Sequence, residues 1–196
     1  YYFTAYDDVA GRELWKTDDT QSGTVMVRDV YSGGGSSDAS DFTVVGSAMY
    51  FSAYTYSTGR ELYRLAGGTV SLVDDIFPGL AGSSPANLTA MGSRLVFAAT
   101  SSLSSGVELF ATDGSSAGTA MVRDIFPGKQ GSDPAWITSF YGSKVLMVAT
   151  DGSPSGVGRE VFESNLTSNG TKAVKDIHSG IGTGSSSPDE VVCVHG

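Results

Sequence analysis

The chain has 196 residues, 40% of them hydrophobic, which is enough to bury a core and excludes an intrinsically disordered protein. Acidic residues outnumber basic ones by 21 to 12, and no basic stripe is present, which excludes nucleic acid as a partner. No apolar run reaches the length of a membrane span, so no membrane insertion is expected. The 26 glycines and 18 tyrosine and phenylalanine residues favour short strands joined by tight turns.

One sequence unit recurs four times along the chain, approximately over residues 1–46, 47–92, 93–142 and 143–196. Its most regular part is a Gly-x-Glu segment followed by an aliphatic and then an aromatic residue, first seen as Gly11-Arg12-Glu13-Leu14-Trp15. The repeated glutamates are Glu13, Glu61, Glu108 and Glu160, and the repeated aromatic residues are Trp15, Tyr63, Phe110 and Phe162. A later segment in each unit carries the aspartates Asp29, Asp75, Asp124 and Asp176.

Each unit is predicted to form a four-stranded antiparallel meander. In the clearest example, strand A covers residues 87–91, strand B 94–99, strand C 107–112 and strand D 119–125. Tight turns join these strands, and a long Gly/Ser/Pro loop leads from strand D to the next strand A. This arrangement is typical of a β-propeller blade. We therefore predict an all-β, single-domain β-propeller of four four-stranded antiparallel blades over residues 1–196.

The two ends of the sequence predict how such a ring closes. Residues 2–5 align with residues 50–53, which places them in strand B, and the chain ends in a strand A. The first blade lacks strand A, so we expect residues 191–194 to pair antiparallel with residues 2–5 and remove two open sheet edges.

The groups repeated in every unit are expected to be structural. Each aromatic residue is predicted to wedge against a neighbouring blade, and burying one ring contributes about 2–3 kcal/mol. The repeated carboxylates are expected to pair with backbone amides or nearby cations. The alternative is that they ring a channel and bind cations, and turn aspartates such as Asp18 could bind calcium weakly. No cofactor is expected, because the spacing of a calcium loop is missing.

All three asparagines, Asn87, Asn165 and Asn169, begin N-glycosylation sequons. This favours an extracellular or cell-surface protein that passes through the secretory pathway, although asparagine beside threonine is also common in turns. The sequence starts without methionine or signal peptide, so we expect a processed portion of a secreted precursor. Cys193, the only cysteine, is expected to be a buried free thiol, with an intermolecular disulfide as the alternative.

No catalytic site is expected. Residues 114–118 match the Gly-x-Ser-x-Gly pattern of hydrolase nucleophile elbows, but they fall in a predicted hairpin turn with no helix after it. His178 and His195 do not recur in the repeats and are expected in loop and packing positions.

The sequence Glu13-Leu14-Trp15-Lys16-Thr17-Asp18-Asp19-Thr20 and its third copy, residues 108–115, resemble the ELWxxDGT-repeat family, sometimes called hyalin-like. The resemblance covers the whole chain. It departs from the family pattern in the second unit, where the turn between strands C and D shrinks to residues 65–68, and at Asn165, where the family has aspartate. The resemblance implies a secreted, propeller-like surface or matrix protein and no defined reaction.

The sequence therefore predicts a non-catalytic extracellular structural or adhesive module, a subunit of a surface filament, matrix or flagellar-hair-like appendage. Its partners would be other proteins or copies of itself, and glycans are also considered. The alternative is a carbohydrate- or cation-binding propeller. A lyase or glycosidase on a propeller scaffold is the third hypothesis.

Overall fold

The computed structural model describes residues 1–152, 156–179 and 184–192. Within these residues the chain forms fifteen β-strands and no helix, which confirms the predicted all-β class. In the same part of the chain, nothing resembles a membrane-spanning helix. The strands form four antiparallel sheets, and the chain divides into two compact units, Tyr1–Ser84 and Pro85–Gly196, with two sheets in each.

The first unit contains a three-stranded sheet and a four-stranded sheet. The three-stranded sheet has the order β1-β2-β3, with β1 at Tyr2–Asp7, β2 at Gly11–Lys16 and β3 at Val25–Arg28. The four-stranded sheet has the order β4-β5-β6-β7, with β4 at Ser40–Val45, β5 at Ala48–Thr55, β6 at Gly59–Ala66 and β7 at Thr69–Asp74. Both are meanders, because consecutive strands are neighbours.

The second unit contains two four-stranded meanders. The first consists of β8 at Ala86–Met91, β9 at Arg94–Thr100, β10 at Val107–Thr112 and β11 at Ala120–Arg123. The second consists of β12 at Ala135–Phe140, β13 at Lys144–Asp151, β14 at Gly158–Ser164 and β15 at Lys172–Ala173.

The predicted strands A, B and C agree with β8, β9 and β10 to within one residue. Strand D is shorter than predicted: β11 ends at Arg123, whereas the prediction extended it to residue 125. The reason is that the backbone N–H groups of Ile125 and Phe126 turn away from the sheet and donate to the carboxylate of Glu108.

The second strand of each four-stranded meander lies in the core. In β9, all residues from Leu95 to Ala99 are buried, as expected for a strand that is apolar on both faces. In the first unit, Leu14 of one sheet packs in the same cluster as Phe51 of the other. In the second unit, Val96 and Met147 share a cluster in the same way. Within each unit the two sheets are therefore joined by an apolar core.

Candidate functional site

The four repeated glutamates lie near the starts of β2, β6, β10 and β14 and are completely buried, each with 0% exposure. Glu108 shows the arrangement in full. Its Oε2 accepts hydrogen bonds from the Ile125 N–H at 2.9 Å and the Ser132 hydroxyl at 2.6 Å. Its Oε1 accepts from the N–H groups of Phe126 at 3.2 Å and Ser132 at 2.9 Å. One carboxylate thus binds both ends of the loop that leaves strand D.

The other glutamates bind their own loops in the same way. The donors to Glu13 are Val30, Tyr31 and Ser37, those to Glu61 are Ile76, Phe77 and Ser83, and Ser186 donates both its N–H and its hydroxyl to Glu160. Burial raises the pKa of Glu61 and Glu108, while the N–H and O–H donors act in the opposite direction. The carboxylate oxygens that would have to face a channel to bind cations are occupied by donors from the loop that follows the same sheet.

The glycine two residues before each glutamate is explained by the same loop. Gly106 has φ +60°, and a Cβ at this position would collide with the backbone of Gly131. Val107 and Gly131 form an isolated parallel bridge there, and the Val107 carbonyl accepts from Ser132 N–H at 3.0 Å. The Gly-x-Glu segment is thus the place where the long loop crosses the start of strand C.

The repeated aspartates are less uniform than the glutamates. Asp29 accepts a hydrogen bond from the Gly33 N–H at 3.2 Å, and Asp124 is exposed. The Oδ1 atoms of Asp29, Asp75 and Asp176 are buried and have no hydrogen-bond partner among the described residues. Across those residues no three His, Cys, Asp or Glu side chains come close enough together to hold a metal ion.

The turn between strands C and D is a self-contained hydrogen-bonded motif in three of the four repeats. In the third, Asp113 Oδ1 accepts from the Ser115 N–H at 2.9 Å and its hydroxyl at 2.6 Å, and Ser115 Oγ accepts from the Gly118 N–H at 3.0 Å. Asp18 and Asn165 hold the equivalent turns. Hydrogen bonds from Thr20 and Ser115 lower the pKa of Asp18 and Asp113. These aspartates therefore serve turn geometry.

Of the residues considered for catalysis, the structure describes Ser116 and His178. Ser116, the centre of the Gly-x-Ser-x-Gly match, is in this hairpin turn, and β11 follows it instead of a helix. His178 is exposed in the loop after Asp176. His195 and Cys193 lie outside the described residues.

The repeated aromatic residues and the asparagines of the glycosylation sequons differ in burial. Tyr63, Phe110 and Phe162 are buried, whereas Trp15 is partly exposed with its indole N–H buried and unpaired among the described residues. Asn87, Asn165 and Asn169 are all exposed. Asn87 donates to the Pro134 carbonyl at 3.3 Å, and Asn165 Oδ1 accepts from Thr167. Asn169 makes no hydrogen bond to any described residue.

Sequence reasoning missed two sets of residues. The serines that complete the glutamate network, Ser37, Ser83, Ser132 and Ser186, follow their glutamates by 24, 22, 24 and 26 positions, a spacing that could have revealed them. The second set lies at a bulge in strand A, where Asp41, Asn87 and Trp136 have φ of 58°, 56° and 54°. No shared residue type marks these three positions.

A scan against protein-family models gives no match to the chain. A search of curated proteins gives no match either. Among solved structures, the chain is similar to a mutant of puromycin hydrolase crystallised in complex with PGG, with a TM-score of 0.49 and 13% sequence identity. The similarity covers 88% of this chain and 30% of the hydrolase chain, so this chain spans less than a third of that protein's length. At this level the similarity carries no argument about activity.

Proposed function

We propose that the four sheets are the blades of a small β-propeller. Two equivalent hydrogen bonds support this within residues 85–196: the Thr89 hydroxyl donates to the Ile137 carbonyl at 2.8 Å, and the Thr138 hydroxyl donates to the Val191 carbonyl at 3.0 Å. Val191 thus contacts strand A of the fourth repeat much as Ile137 contacts strand A of the third. This is the position that the next strand A of a ring would take.

Closure of the ring by residues 191–194 and 2–5 belongs to the same proposal. Residues 193 and 194 lie outside the described residues. The register of the other sheets predicts the pairing: in each four-stranded sheet a strand-A threonine lies opposite a strand-B residue, as in Thr43↔Tyr50, Thr89↔Val96 and Thr138↔Leu146. By sequence alignment, Cys193 replaces the threonine and Tyr2 replaces the strand-B residue.

A cross-linking experiment tests the closure. Directly opposed residues in antiparallel strands have Cβ atoms about 4.5–5.5 Å apart, close to the reach of a disulfide. We expect Tyr2→Cys to lose both thiols in mild oxidant without forming a disulfide between chains. Tyr6→Cys, four residues along the same strand, is the control and should keep its thiols. If Tyr2→Cys keeps both thiols, or cross-links only between molecules, the ring does not close in this way.

The function proposed for this propeller is association without catalysis, as an extracellular structural or adhesive module of a surface filament, matrix or flagellar-hair-like appendage. The observation that carries it is the use of the repeated glutamates. A glycosidase or lyase needs carboxylates that can reach a substrate. Glu13, Glu61, Glu108 and Glu160 are all buried, and their oxygens bind the loops of their own sheets.

Exposed aromatic residues support association. Trp136 at the strand-A bulge is 50% exposed and has φ 54°, a conformation that costs a bulky residue roughly 1–2 kcal/mol. Phe140 and Tyr141, at the other end of β12, are also exposed and pack edge to face with ring centroids 4.5 Å apart. Aromatic side chains are enriched at the centres of protein contacts, so we propose that this strand takes part in assembly.

Sedimentation velocity over a range of concentrations, together with electron microscopy of the native protein, tests this function. We expect oligomers or filaments that grow with concentration, weaker association in Trp136→Ser, and unchanged association in Tyr6→Ser, an exposed aromatic on β1. Native protein that stays monomeric at high concentration while turning over a defined glycan would replace this proposal with an enzyme.

The extracellular location and membership of the ELWxxDGT-repeat family are part of the proposal. They rest on the sequons and on the repeated residues. The exposure of Asn87, Asn165 and Asn169 supports the first, because a glycan needs an acceptor at the surface.

A further inference from the structure

A cleft of about 520 Å³ opens in the first unit, beside strand β3 and strands β6 and β7. Its lining includes Arg28, Tyr31, Tyr63, Ser71 and the turn from Thr55 to Thr58. This volume lies within the range of small-molecule sites, roughly 300–1,000 Å³. Arg28 is the one charged side chain of the lining, which contains no carboxylate, although the whole chain has a net charge of −9.

Arg28 differs from its counterpart in the third repeat. That counterpart, Arg123 at the end of β11, is partly buried and donates to the Thr171 carbonyl at 2.5 Å. Arg28, at the end of β3, is exposed, and its guanidinium forms neither a hydrogen bond nor a salt bridge with any described residue. Its guanidinium therefore keeps its planar set of donors available for an anion.

The turn between the third and fourth strands also differs between the second and fourth repeats. Thr171 belongs to the turn between β14 and β15, which runs over residues 165–171. The turn at the same place in the second repeat consists of Gly67 and Gly68, between Ala66 of β6 and Thr69 of β7. The second repeat therefore lacks the longer turn. Val70 of β7, which the strand register places where Thr171 lies in the fourth repeat, is nevertheless present and lines the cleft, and the Arg28 guanidinium forms no hydrogen bond with it.

The aromatic part of the cleft is held in place. The Tyr31 ring stacks on Tyr54, with centroids 5.8 Å apart and planes at 20°. It also lies against Gly35, where any Cβ would collide with the ring. Tyr63 is 8% exposed, whereas Tyr56 at the rim is 69% exposed. A fixed ring beside hydroxyl groups and one exposed ring at the rim offer an apolar face and polar tips to a ligand.

We propose that this cleft binds an acidic oligosaccharide, with Arg28 pairing its anionic group and the tyrosines packing on the sugar rings. Arginine matches a carboxylate or sulfate through paired N–H donors, and one cation among hydroxyl and aromatic groups fits a sugar with one negative charge. The site lies within residues 28–72 and is independent of the ring closure and the assembly proposed above. A sedimentation result against assembly would therefore leave it standing.

Isothermal titration calorimetry on the full chain tests the site with three probes: trigalacturonic acid, its fully methyl-esterified form, and a sulfated galactan oligosaccharide. We expect at least one acidic probe to bind, and trigalacturonic acid to bind about tenfold tighter than its ester if the anion is a carboxylate. Preference for the sulfated probe would assign a sulfate ester instead. Binding of neither acidic probe at millimolar concentration, or equal binding of acid and ester with no binding of the sulfated probe, would overturn the proposal.

Variants locate the binding. Arg28→Gln should weaken the acidic probe about tenfold, Tyr56→Ser should weaken it severalfold, and Lys129→Gln, which removes one exposed charge outside the cleft, should leave it unchanged. Unchanged thermal melting of Arg28→Gln and Tyr56→Ser shows that the fold is intact. Full binding by Arg28→Gln would refute the assignment.

Discussion

Replacing Glu108 with glutamine tests whether the repeated glutamates stabilise the loops of the sheets. The side chain keeps its size and loses its charge. With the amide oxygen in place of Oε1, the bonds from Phe126 and Ser132 N–H groups survive. The amide nitrogen then takes the place of Oε2 and faces the Ile125 N–H, which is also a donor, at the former distance of 2.9 Å. The reversed amide would move the same conflict to the other pair.

The loss in the free energy of unfolding follows from the number of hydrogen bonds that are lost. One buried donor loses its acceptor, and the remaining bonds lose the help of the charge, which together cost about 2–3 kcal/mol. For a chain of this size, about 2–4 °C of melting temperature is lost per kcal/mol, so Glu108→Gln should melt roughly 4–12 °C lower. Glu108→Ala removes the acceptor of all four hydrogen bonds, and of the four donors only the Ser132 N–H keeps another acceptor, the Val107 carbonyl. This variant should cost more than about 4 kcal/mol. Ser132→Ala removes only the hydroxyl and should cost the least, about 1–2 kcal/mol.

Urea unfolding at neutral pH followed by tryptophan fluorescence, with scanning calorimetry, measures the series. Glu163→Gln is the matched control, because it removes a carboxylate whose partners, Lys144 at 2.8 Å and Lys172 at 3.7 Å, lie at the surface. Its effect should be much smaller than that of Glu108→Gln. Equal stability of Glu108→Gln and the parent, or a larger loss in Glu163→Gln, would refute the reasoning.

Three further predictions concern pH, a turn and the glycan. Because burial raises the pKa of Glu61, the contribution of this carboxyl group to the free energy of unfolding is full below the unfolded pKa of glutamate and is lost as pH rises through the higher folded pKa. Urea titrations over this pH range should show the free energy of unfolding falling with pH, and Glu61→Gln should flatten that slope. Asp113→Ala should lower the melting temperature while Asp113→Asn does not, since Asn165 makes the same turn bonds; equal melting of the two variants would contradict this. We expect Asn169 to carry the most glycan of the three sequons. Peptide mapping of native protein after enzymatic deglycosylation measures this. Native protein that is unmodified at every sequon would refute the secretory assignment.

Much of the fold could be predicted because the same sequence pattern occurs four times in the chain. The glycine before each glutamate, the turn residues and the apolar strand B recur together, and each has a local physical reason. Strand bounds such as Ala86–Met91 and Arg94–Thr100 therefore came within a residue of prediction. The end of strand D did not, because the N–H groups of Ile125 and Phe126 leave the sheet for a carboxylate that is distant in sequence.

The candidate sites were harder to predict, because they depend on what a residue meets in the neighbouring sheet. Nothing in the sequence distinguishes Arg28 from Arg123, and both sit in a Val-Arg-Asp segment. Only the structure shows that one guanidinium is bound by a turn carbonyl and the other is not. The positive φ of Trp136 was equally hidden, since tryptophan is not a residue that predicts a left-handed backbone.

Comparison of the four repeats distinguishes residues that stabilise the fold from residues that are available to bind a ligand. A group that is present in all four repeats with the same partners, such as the buried glutamate and its loop serine, is explained by the stability of each sheet. A ligand that binds once must use something that occurs once. The first repeat provides this in Arg28, whose guanidinium forms no hydrogen bond with a described residue and lines an open cleft beside a ring that is already fixed.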